Sequence, residues 1–474
     1  MYRVTILPQK LDISAREGEN LLTTLRRAGL SPDAPCGGEG RCGKCRVNVD
    51  GEERLACRTV VDRDLTVILP GEAEQRILTD GLAPGAVGEA CRLAFDIGTT
   101  TVAGYLLRDG RELARASRGN PQTAFGADVV TRIRHAIKEG MEPMTRAIRD
   151  CLAELTEILC AAGGVEPGEV ELVSVVGNPA MRQIFLGIPV ENLARIPFAP
   201  VLTELKTIPA RDILPLWEKA KLPLIPDIAG FVGADTAACV LATGMDTSEE
   251  LTLLVDIGTN GEMVLGSRHG MAACATAAGP ALEGSGIRCG MRGQDGAIDH
   301  VRLENGQFRC TVIGAGDPLG VCGSGIIDAV AAALDAGWLN SRGKILTEDG
   351  LIHLTGEITL DQDDIRQVQL AKGAIAAGIR LLAENLGVTL EEIRKVYLAG
   401  AFGSYMDPRS ACRIGLLPSE LEGKITAVGN AAGSGAKLLP DALERAAAIA
   451  AHTDALELAS LPGFARCFAM SMRF

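Results

Sequence analysis

The pattern of hydrophobic and polar positions divides the chain near residue 91. Before that point, short apolar segments such as RVTILP, LDISA and DLTVILP alternate with polar turns and surround one amphipathic helical segment, EGENLLTTLRRAGL. A stretch rich in Gly, Pro and acidic residues follows without periodicity, which is typical of a linker. We therefore predict a small N-terminal domain over residues 1–72 and a linker over residues 73–91.

Beyond the linker, buried strands alternate with helical segments, which indicates an α/β fold. RLAFDIGTTTVAGYLL and LTLLVDIGTNGEMVLGS each combine an apolar strand, an Asp-Ile-Gly-Thr turn and a second strand. Because a repeated unit of this kind indicates internal duplication, we predict two lobes. Lobe I is expected over residues 92–245 and lobe II over residues 246–474, with a C-terminal helix that returns towards lobe I.

Composition excludes several classes of function. Charged residues make up 23% of the chain and hydrophobic residues 47%, which favours a folded globular protein over a disordered or fibrous one. A net charge of −13 argues against nucleic acid as a partner, since such binding depends on Lys and Arg. No secretory signal or membrane-spanning apolar run is evident, so we expect a cytoplasmic protein without a membrane partner.

Four of the 14 cysteines fall close together near the N-terminus, at Cys36, Cys42, Cys45 and Cys57. A 2Fe-2S cluster needs four converging thiolates, and the glycines between these cysteines would let one loop wrap around it. Structural zinc more often uses two CxxC pairs, and a 4Fe-4S cluster more often uses C-x2-C-x2-C. Disulfides are disfavoured without an export signal. The spacing therefore favours a 2Fe-2S cluster, with zinc as the alternative. This loop resembles those of 2Fe-2S ferredoxin domains of the β-grasp fold, although its first spacing is five residues instead of four.

Other features of the chain have two interpretations each. The remaining cysteines are expected to be small buried hydrophobic residues, with Cys289 and Cys322 as candidates for exposed thiols because they lie in glycine-rich segments. These segments, residues 279–298 and 314–328, are either tight connections or the lining of a ligand cleft or a partner surface. Lys372 either flanks a bound base or, as we favour, is a solvated helix residue.

The two Asp-Ile-Gly-Thr turns are candidate phosphate loops, which we call loop 1 (residues 96–101) and loop 2 (residues 256–262). Each places an acid at a strand end before a glycine turn. Backbone N–H groups and Thr hydroxyls in such a turn can bind phosphate oxygens, and the acid can reach magnesium through water.

Together the loops resemble the phosphate loops of the actin, sugar-kinase and heat-shock-chaperone ATPase superfamily. VGADTAACVLA, VYLAGAFGSY and NAAGSGAKLL resemble its first connecting helix, adenosine motif and second connecting helix, in the expected order. The resemblance implies that Asp96 and Asp256 bind hydrated Mg²⁺ and that Asp235 orients the attacking water. It implies ATP contacts from Gly98, Thr99, Thr100, Thr101, Gly258, Thr259, Asn260, Gly261, Gly400 and Gly403.

A redox cluster joined to an ATPase suggests uphill electron transfer, because each 59 mV against a one-electron gradient costs about 1.4 kcal/mol. This order of parts, with the segments GNPAMRQIFLG, GPALEG, VCGSGIIDA and LAGAFGSY, resembles the reductive activators of corrinoid enzymes. The resemblance implies one-electron reduction of cob(II)amide to cob(I)amide on a corrinoid protein, supplied by an upstream electron donor. A homodimer remains open.

The chain departs from that family in two respects: the short linker leaves no room for a separate middle domain, and no cysteine-rich segment precedes the C-terminus. The alternatives are an electron-donating activator of a radical or dehydratase enzyme, a redox-sensing ATPase and a small-molecule kinase. Neither the particular corrinoid protein nor the natural reductant follows from the sequence.

Overall fold

The structure is a computed structural model. It describes residues 1–7, 11–28, 30, 32, 34, 38, 40, 45–69, 79–82, 90–314 and 316–474. Within these ranges, no helix has both the length and the apolar character required to cross a lipid bilayer.

The N-terminal domain is a five-stranded sheet packed against one helix. Strand β1 pairs antiparallel with β2 and parallel with β7, in the order β2-β1-β7-β4-β5. Helix α1 begins after Asn20, whose side chain accepts hydrogen bonds from the N–H groups of Leu22 and Thr23 and so caps the helix. The elements are β1 (Tyr2–Leu7), β2 (Leu11–Ala15), β3 (Glu19–Asn20), α1 (Leu21–Arg27), β4 (Arg46–Val49), β5 (Glu52–Leu55), β6 (Val60–Val61) and β7 (Leu65–Ile68).

Lobe I is built on a six-stranded sheet of order β10-β9-β8-β11-β13-β12. Three antiparallel strands come first, and β11 and β13 then extend the sheet parallel to β8. The elements are β8 (Arg92–Ile97), β9 (Thr101–Arg108), β10 (Arg111–Gly119), α2 (Val129–Glu139), α3 (Glu142–Gly163), β11 (Leu172–Gly177), α4 (Pro179–Leu186), β12 (Lys206–Pro209), β13 (Lys221–Leu224) and α5 (Ala234–Thr243).

Lobe II repeats this arrangement and adds further elements. Its main sheet has the order β23-β22-β14-β15-β16-β24. The elements are β14 (Thr252–Ile257), β15 (Gly261–Ser267), β16 (Gly270–Thr276), β17 (Ala297–Glu304), β18 (Gln307–Val312), β19 (Gly320–Val321), α6 (Gly323–Asp335), β20 (Ile352–Thr355), β21 (Ile358–Leu360), α7 (Gln362–Leu386), β22 (Lys395–Ala399), α8 (Gly400–Tyr405), α9 (Pro408–Arg413), β23 (Ile425–Gly429), α10 (Ala431–Leu438), α11 (Leu443–Ala451), β24 (Thr453–Leu456) and α12 (Phe464–Ser471).

The two sheets share one topology. In each, the first strand lies at the centre, β8 in lobe I and β14 in lobe II, with an antiparallel hairpin on one side and parallel strands on the other. The two DIGT turns therefore follow equivalent strands. The predicted α/β fold, a β-grasp domain followed by a duplicated two-lobed fold, is confirmed.

Helices α5 and α10 cross between the two sheets and share a hydrophobic core with both lobes. A Cβ atom at Gly435 would collide with the carbonyl oxygen of Ala238, so this close crossing requires glycine. The prediction that glycines allow the connecting helices to approach closely is confirmed. Helices α10 and α11 pack on lobe I elements, whereas the last helix, α12, packs against α7.

Candidate functional site

A cleft of about 370 Å³ lies where the two phosphate loops face each other. It brings together residues that are far apart in the sequence, from both lobes and both connecting helices. Eleven residues predicted to act at the site line it: Asp96, Gly98, Thr99, Thr100, Thr101, Asp235, Asp256, Gly258, Thr259, Asn260 and Gly400.

Two predicted residues do not line the cleft. Gly261 begins β15, and a Cβ atom there would lie 3.1 Å from Cγ1 of Ile375 on α7. Gly403 lies within α8, where a Cβ atom would be 3.3 Å from Cβ of Leu398. Both glycines thus serve packing beneath the site, and their predicted contact with a nucleotide is not supported by this geometry.

Loop 1 is held by polar side chains of lobe I. The Asn120 side chain donates a hydrogen bond to the Gly98 carbonyl at 2.7 Å, and the Asn120 N–H donates to the Thr100 carbonyl at 2.8 Å. Buried Arg132 donates to the Thr99 carbonyl at 2.5 Å. These contacts fix the carbonyl groups of the turn to lobe I and so hold the backbone of loop 1 in place.

Loop 2 is held mainly by backbone and apolar contacts. The Gly279 N–H donates to the Thr259 carbonyl at 3.1 Å, and the Gly258 N–H donates to the Asn260 carbonyl at 2.9 Å. Gly400 approaches the same loop closely, since a Cβ atom there would lie 2.6 Å from Oδ1 of Asp256. Its backbone has a φ of 85°, so both space and conformation demand glycine.

Glu283 joins the two loops, and sequence reasoning missed it. Its carboxylate accepts a hydrogen bond from Thr100 of loop 1 at 2.9 Å and from Thr259 of loop 2 at 2.7 Å. Leu282, Glu283, Arg292, Gly293, Cys322, Gly323 and Ser324, from the two glycine-rich segments, also line the cleft. Of the interpretations given to the glycine-rich segments, the lining of a ligand cleft is the one that agrees with the structure. Their glycine-rich composition was the sequence signal that could have identified Glu283.

Acidic side chains dominate the described lining. Burial raises the pKa of Asp96 to about 7, and the nearby Asp256 adds to the shift, while a hydrogen bond from Asn430 opposes it. Burial likewise raises the pKa of Asp256 to about 6, with repulsion from Asp235 adding to it. The pKa values of Asp235 and Glu262 are also raised, again by burial first. Among the described residues, no three of these side chains lie close enough together to ligate a metal ion directly. A hydrated divalent cation between the carboxyl groups would offset their mutual repulsion, so the donor set fits Mg²⁺ held through water.

Asp235 sits at the first turn of α5, where the Thr236 N–H donates to its carboxylate at 2.8 Å. Behind it, Arg182 and Asp227 form a fully buried ion pair at 2.5 Å. Arg182 also donates to the carbonyl of Ile225 at 2.8 Å, so the pair is fixed to the chain segment that precedes the helix. Sequence reasoning identified Asp235 but not this support.

The predicted adenosine motif forms the rim of lobe II, where Gly400, Phe402 and Tyr405 line the cleft. Lys372 does not contribute to it. Its side chain is buried and donates to the carbonyl of Arg473, with the ring of Phe474 5.3 Å away. Burial lowers its pKa to about 8. Both interpretations of Lys372, as a base contact and as a solvated residue, are wrong.

The middle of the linker, residues 79–82, docks beside the cleft. The Asn430 N–H donates to the Asp80 carbonyl at 2.8 Å, and Gly81 pairs with Gly429. The hydroxyl of Ser434 donates to the Leu82 carbonyl at 3.2 Å. Because the side chain of Asn430 also donates to Asp96 at 3.0 Å, one residue contacts both the linker and loop 1. Nothing in the local sequence pattern indicated this contact.

Two of the four predicted cluster ligands belong to the described residues. Cys45 is fully buried at the start of β4, and the Cys57 N–H donates to its sulfur at 3.4 Å. Backbone N–H groups directed at sulfur are a feature of iron–sulfur ligand sets, so the geometry of the two residues fits one. Cys36 and Cys42 lie outside the described residues. Cys322 is buried, and Cys289 is partly exposed.

Two duplicated lobes that each present an acid and a glycine turn to one cleft define a nucleotide clamp of the actin and sugar-kinase type, joined here to a ferredoxin-like domain. Sequence-family profiles agree: "2Fe-2S iron-sulfur cluster binding domain" matches residues 4–62, "RACo middle region" matches 91–248, and "C-terminal domain of RACo the ASKHA domain" matches 250–474. The middle region corresponds to lobe I, so the expectation that it is missing was wrong.

The chain belongs to the family of reductive activators of corrinoid proteins. It is 37% identical over 417 residues to the corrinoid activation enzyme RamQ of Eubacterium limosum, covering 81% of this chain and 70% of that protein. It is 27% identical over 373 residues to a Co(II) methylated amine-specific corrinoid protein reductase of Methanosarcina barkeri, covering 71% of this chain and 67% of that protein. A solved structure of a reductive activator for corrinoid, iron-sulfur protein matches with a TM-score of 0.73 at 28% identity, covering 100% of this chain and 98% of that one.

Proposed function

We propose that this protein is an ATP-dependent reductive activator that transfers one electron from an N-terminal 2Fe-2S cluster to a corrinoid protein. The product is cob(I)amide, formed from inactive cob(II)amide. The observation that carries the proposal is the convergence of Asp96 and Asp256 on one cleft, in a chain whose N-terminal domain matches 2Fe-2S proteins. The printed functions of its relatives, a corrinoid activation enzyme and a corrinoid protein reductase, support the choice of partner.

The cluster would be held by Cys36, Cys42, Cys45 and Cys57, and when bound it supplies a one-electron carrier. The chain's own contribution is to position the ligand residues and to shield Cys45 from solvent. The Cys57 N–H donates to the sulfur of buried Cys45, and the Asn20 side chain donates to the Cys57 carbonyl at 2.8 Å, which fixes the turn that carries this ligand.

In the cleft, Asp96 and Asp256 would hold hydrated Mg²⁺ between the loops, and the turns would bind the phosphates of ATP. The raised pKa values mean that cation binding drives protons off these carboxyl groups. The negative charge of Asp96 lies close enough to Asp235 to raise the pKa of the Asp235 carboxyl further. In this position Asp235 would orient the attacking water.

The linker contact supports coupling between ATP and electron transfer. Residues 79–82 follow the N-terminal domain in sequence and bind Asn430, which contacts Asp96. A change at Asp96 on nucleotide binding would therefore reach the segment that carries the redox domain. Such coupling is needed because a plant-type cluster has a potential near about −400 mV and a more negative acceptor requires added free energy.

The test is an anaerobic assay with the full, iron-reconstituted chain, a reductant and a corrinoid protein in the cob(II)amide state. We expect the cob(I)amide absorption to appear only when ATP and Mg²⁺ are present. Cys45→Ser should abolish it while leaving ATP binding intact, and Asp96→Asn should abolish it by weakening ATP binding. Cys467→Ser, at a partly exposed cysteine far from the motif, is the matched control. Equal reduction without ATP, or zinc in place of iron, would contradict the proposal.

A further inference from the structure

The carboxylate of Glu283 occupies the place where the two loops come together. The hydroxyls of Thr100 and Thr259 are 3.3 Å apart, and each hydroxyl donates to a different oxygen of this carboxylate. Thr100 belongs to lobe I, whereas Thr259 and Glu283 belong to lobe II. Glu283 thus bridges the two lobes through the hydroxyls of Thr100 and Thr259.

The backbone around Glu283 is fixed to loop 2. Glu283 ends a short helical turn (Pro280–Glu283) in which Ala281 and Leu282 are buried. The Gly279 N–H at the start of this turn donates to the Thr259 carbonyl at 3.1 Å. Glu283 therefore moves together with loop 2. If the lobes separate, the hydrogen bond between Thr100 and Glu283 is the contact that must break.

On the other side, Arg132 fixes Thr100 through the neighbouring carbonyl of Thr99. The positive charge of Arg132 also lies close enough to Glu283 for the two groups to attract each other. Both ends of the bridge are thus anchored, one in each lobe.

The bridge conflicts with phosphate binding. A Thr hydroxyl has one proton to donate, and an ionised carboxylate accepts but cannot donate. While both threonines donate to Glu283, neither can donate to a phosphate oxygen. The carboxylate and a phosphate chain also repel each other, since both are negative.

We propose that Glu283 is a positioning residue that competes with the phosphate chain of the nucleotide for Thr100 and Thr259. When its carboxylate accepts from both hydroxyls, it links the lobes and keeps the two hydroxyls aligned. Binding of Mg²⁺-ATP displaces it, breaks the bridge between the lobes and transfers both hydroxyls to phosphate. The inference rests on the proposed function, because it assumes that ATP occupies this cleft.

Calorimetric titration of the full chain with Mg²⁺-ATP and with adenosine tests the competition. Glu283→Ala should bind Mg²⁺-ATP about three- to tenfold more tightly, since the competing acceptor is gone. Adenosine, which has no phosphate, should bind as it does to the parent protein. Glu283→Gln keeps the size and one acceptor but removes the charge. Its affinity for Mg²⁺-ATP should lie between the affinities of the parent protein and of Glu283→Ala. Glu348→Ala, at an exposed acid of the same lobe, should change neither affinity.

If Glu283→Ala fails to fold, the same titrations with Glu283→Gln test the competition. Weaker or unchanged Mg²⁺-ATP binding by a folded Glu283 variant would overturn the inference, because Glu283 would then assist the phosphates or ignore them. An equal gain for adenosine would overturn it as well. If the parent protein binds neither ligand, the proposed function itself fails; if it binds ATP but the variants show no gain, only the role of Glu283 fails.

Discussion

Loops 1 and 2 follow equivalent strands and begin with the same four residues, yet the protein supports them differently. Polar side chains, Asn120 and Arg132, hold the carbonyl groups of loop 1. Loop 2 depends on backbone hydrogen bonds and on packing against α7, as the position of Gly261 shows. Duplication thus preserved the turn and its acid, while each lobe supplied its own support.

A second difference concerns the linker. Asn430, which binds the linker at Asp80, contacts Asp96 of loop 1, whereas Asp256 of loop 2 is approached by Gly400 and the thiol of Cys239 at 3.6 Å. Among the described residues, loop 1 is therefore the loop connected to the segment that leads to the redox domain.

Removal of the polar support should affect loop 1 most. Arg132→Met leaves the carbonyls of Thr99 and Gly126 without this donor, and we expect a loss of about 1–3 kcal/mol in the free energy of unfolding. Burial already lowers the pKa of Arg132 to about 9, so relief of that cost limits the loss. Urea unfolding measures it, with the exposed Arg134→Met on the same helix as control. Equal stability of both variants would show that loop 1 does not depend on this arginine.

The pH dependence of stability should distinguish the two acids. Because their folded pKa values lie above the ordinary value, the stabilising protonated forms are present at low pH and lost as pH rises through about 6 for Asp256 and about 7 for Asp96. Because the ordinary pKa of Asp is about 4, the free energy of unfolding of the metal-free protein should fall between about pH 4 and pH 7 and level off above that. Asp96→Asn should reduce this fall more than Asp256→Asn, by about 1–2 kcal/mol at pH 8. A larger effect from Asp256→Asn would reverse the assignment.

Asn430→Ala should separate ATP binding from electron transfer. It removes the contact with Asp96 and the cap on α10, where the Asn430 side chain accepts the Gly433 N–H at 2.7 Å. We expect a stability loss of about 1 kcal/mol, as for other helix caps. ATP-dependent formation of cob(I)amide should fall further than ATP hydrolysis does, when both rates are measured in one preparation. A parallel fall of both would argue against a route through Asn430.

Loop 2 should tolerate a small change at its end. Gly261→Ala places a methyl group 3.1 Å from side-chain atoms of Ile375 and Thr276, which can shift slightly. The equivalent position in loop 1 is Thr101. We expect a change of less than about 1 kcal/mol in thermal unfolding and no change in ATP affinity. A large loss of affinity would show that Gly261 contacts the nucleotide after all, as the sequence predicted.

Local patterns predicted the parts of the molecule that depend on local sequence. The cysteine spacing and both DIGT turns follow from short motifs, whereas Asp235 and the connecting helices were predicted from the family resemblance that those motifs carry. In the sequence, Arg132 has charged neighbours like a residue of a surface helix, and Lys372 looks like a solvated residue. Both are buried by distant segments of the chain, and such burial leaves no signal in the local sequence. Glu283 and the contact between Asn430 and the linker likewise depend on long-range packing. The domain limits at residues 72, 91 and 245 stay predictions.

The central claim is that loops 1 and 2 grip one nucleotide between them. Calorimetric titration of the full chain with Mg²⁺-ATP tests it directly, with Asp96→Asn and Asp256→Asn measured beside the parent protein. The account predicts one ATP bound per chain. It also predicts a loss of affinity of at least about tenfold in each variant, because each substitution removes one of the two carboxylates that hold the cation. Full affinity in either variant, or two ATP molecules per chain, would contradict it.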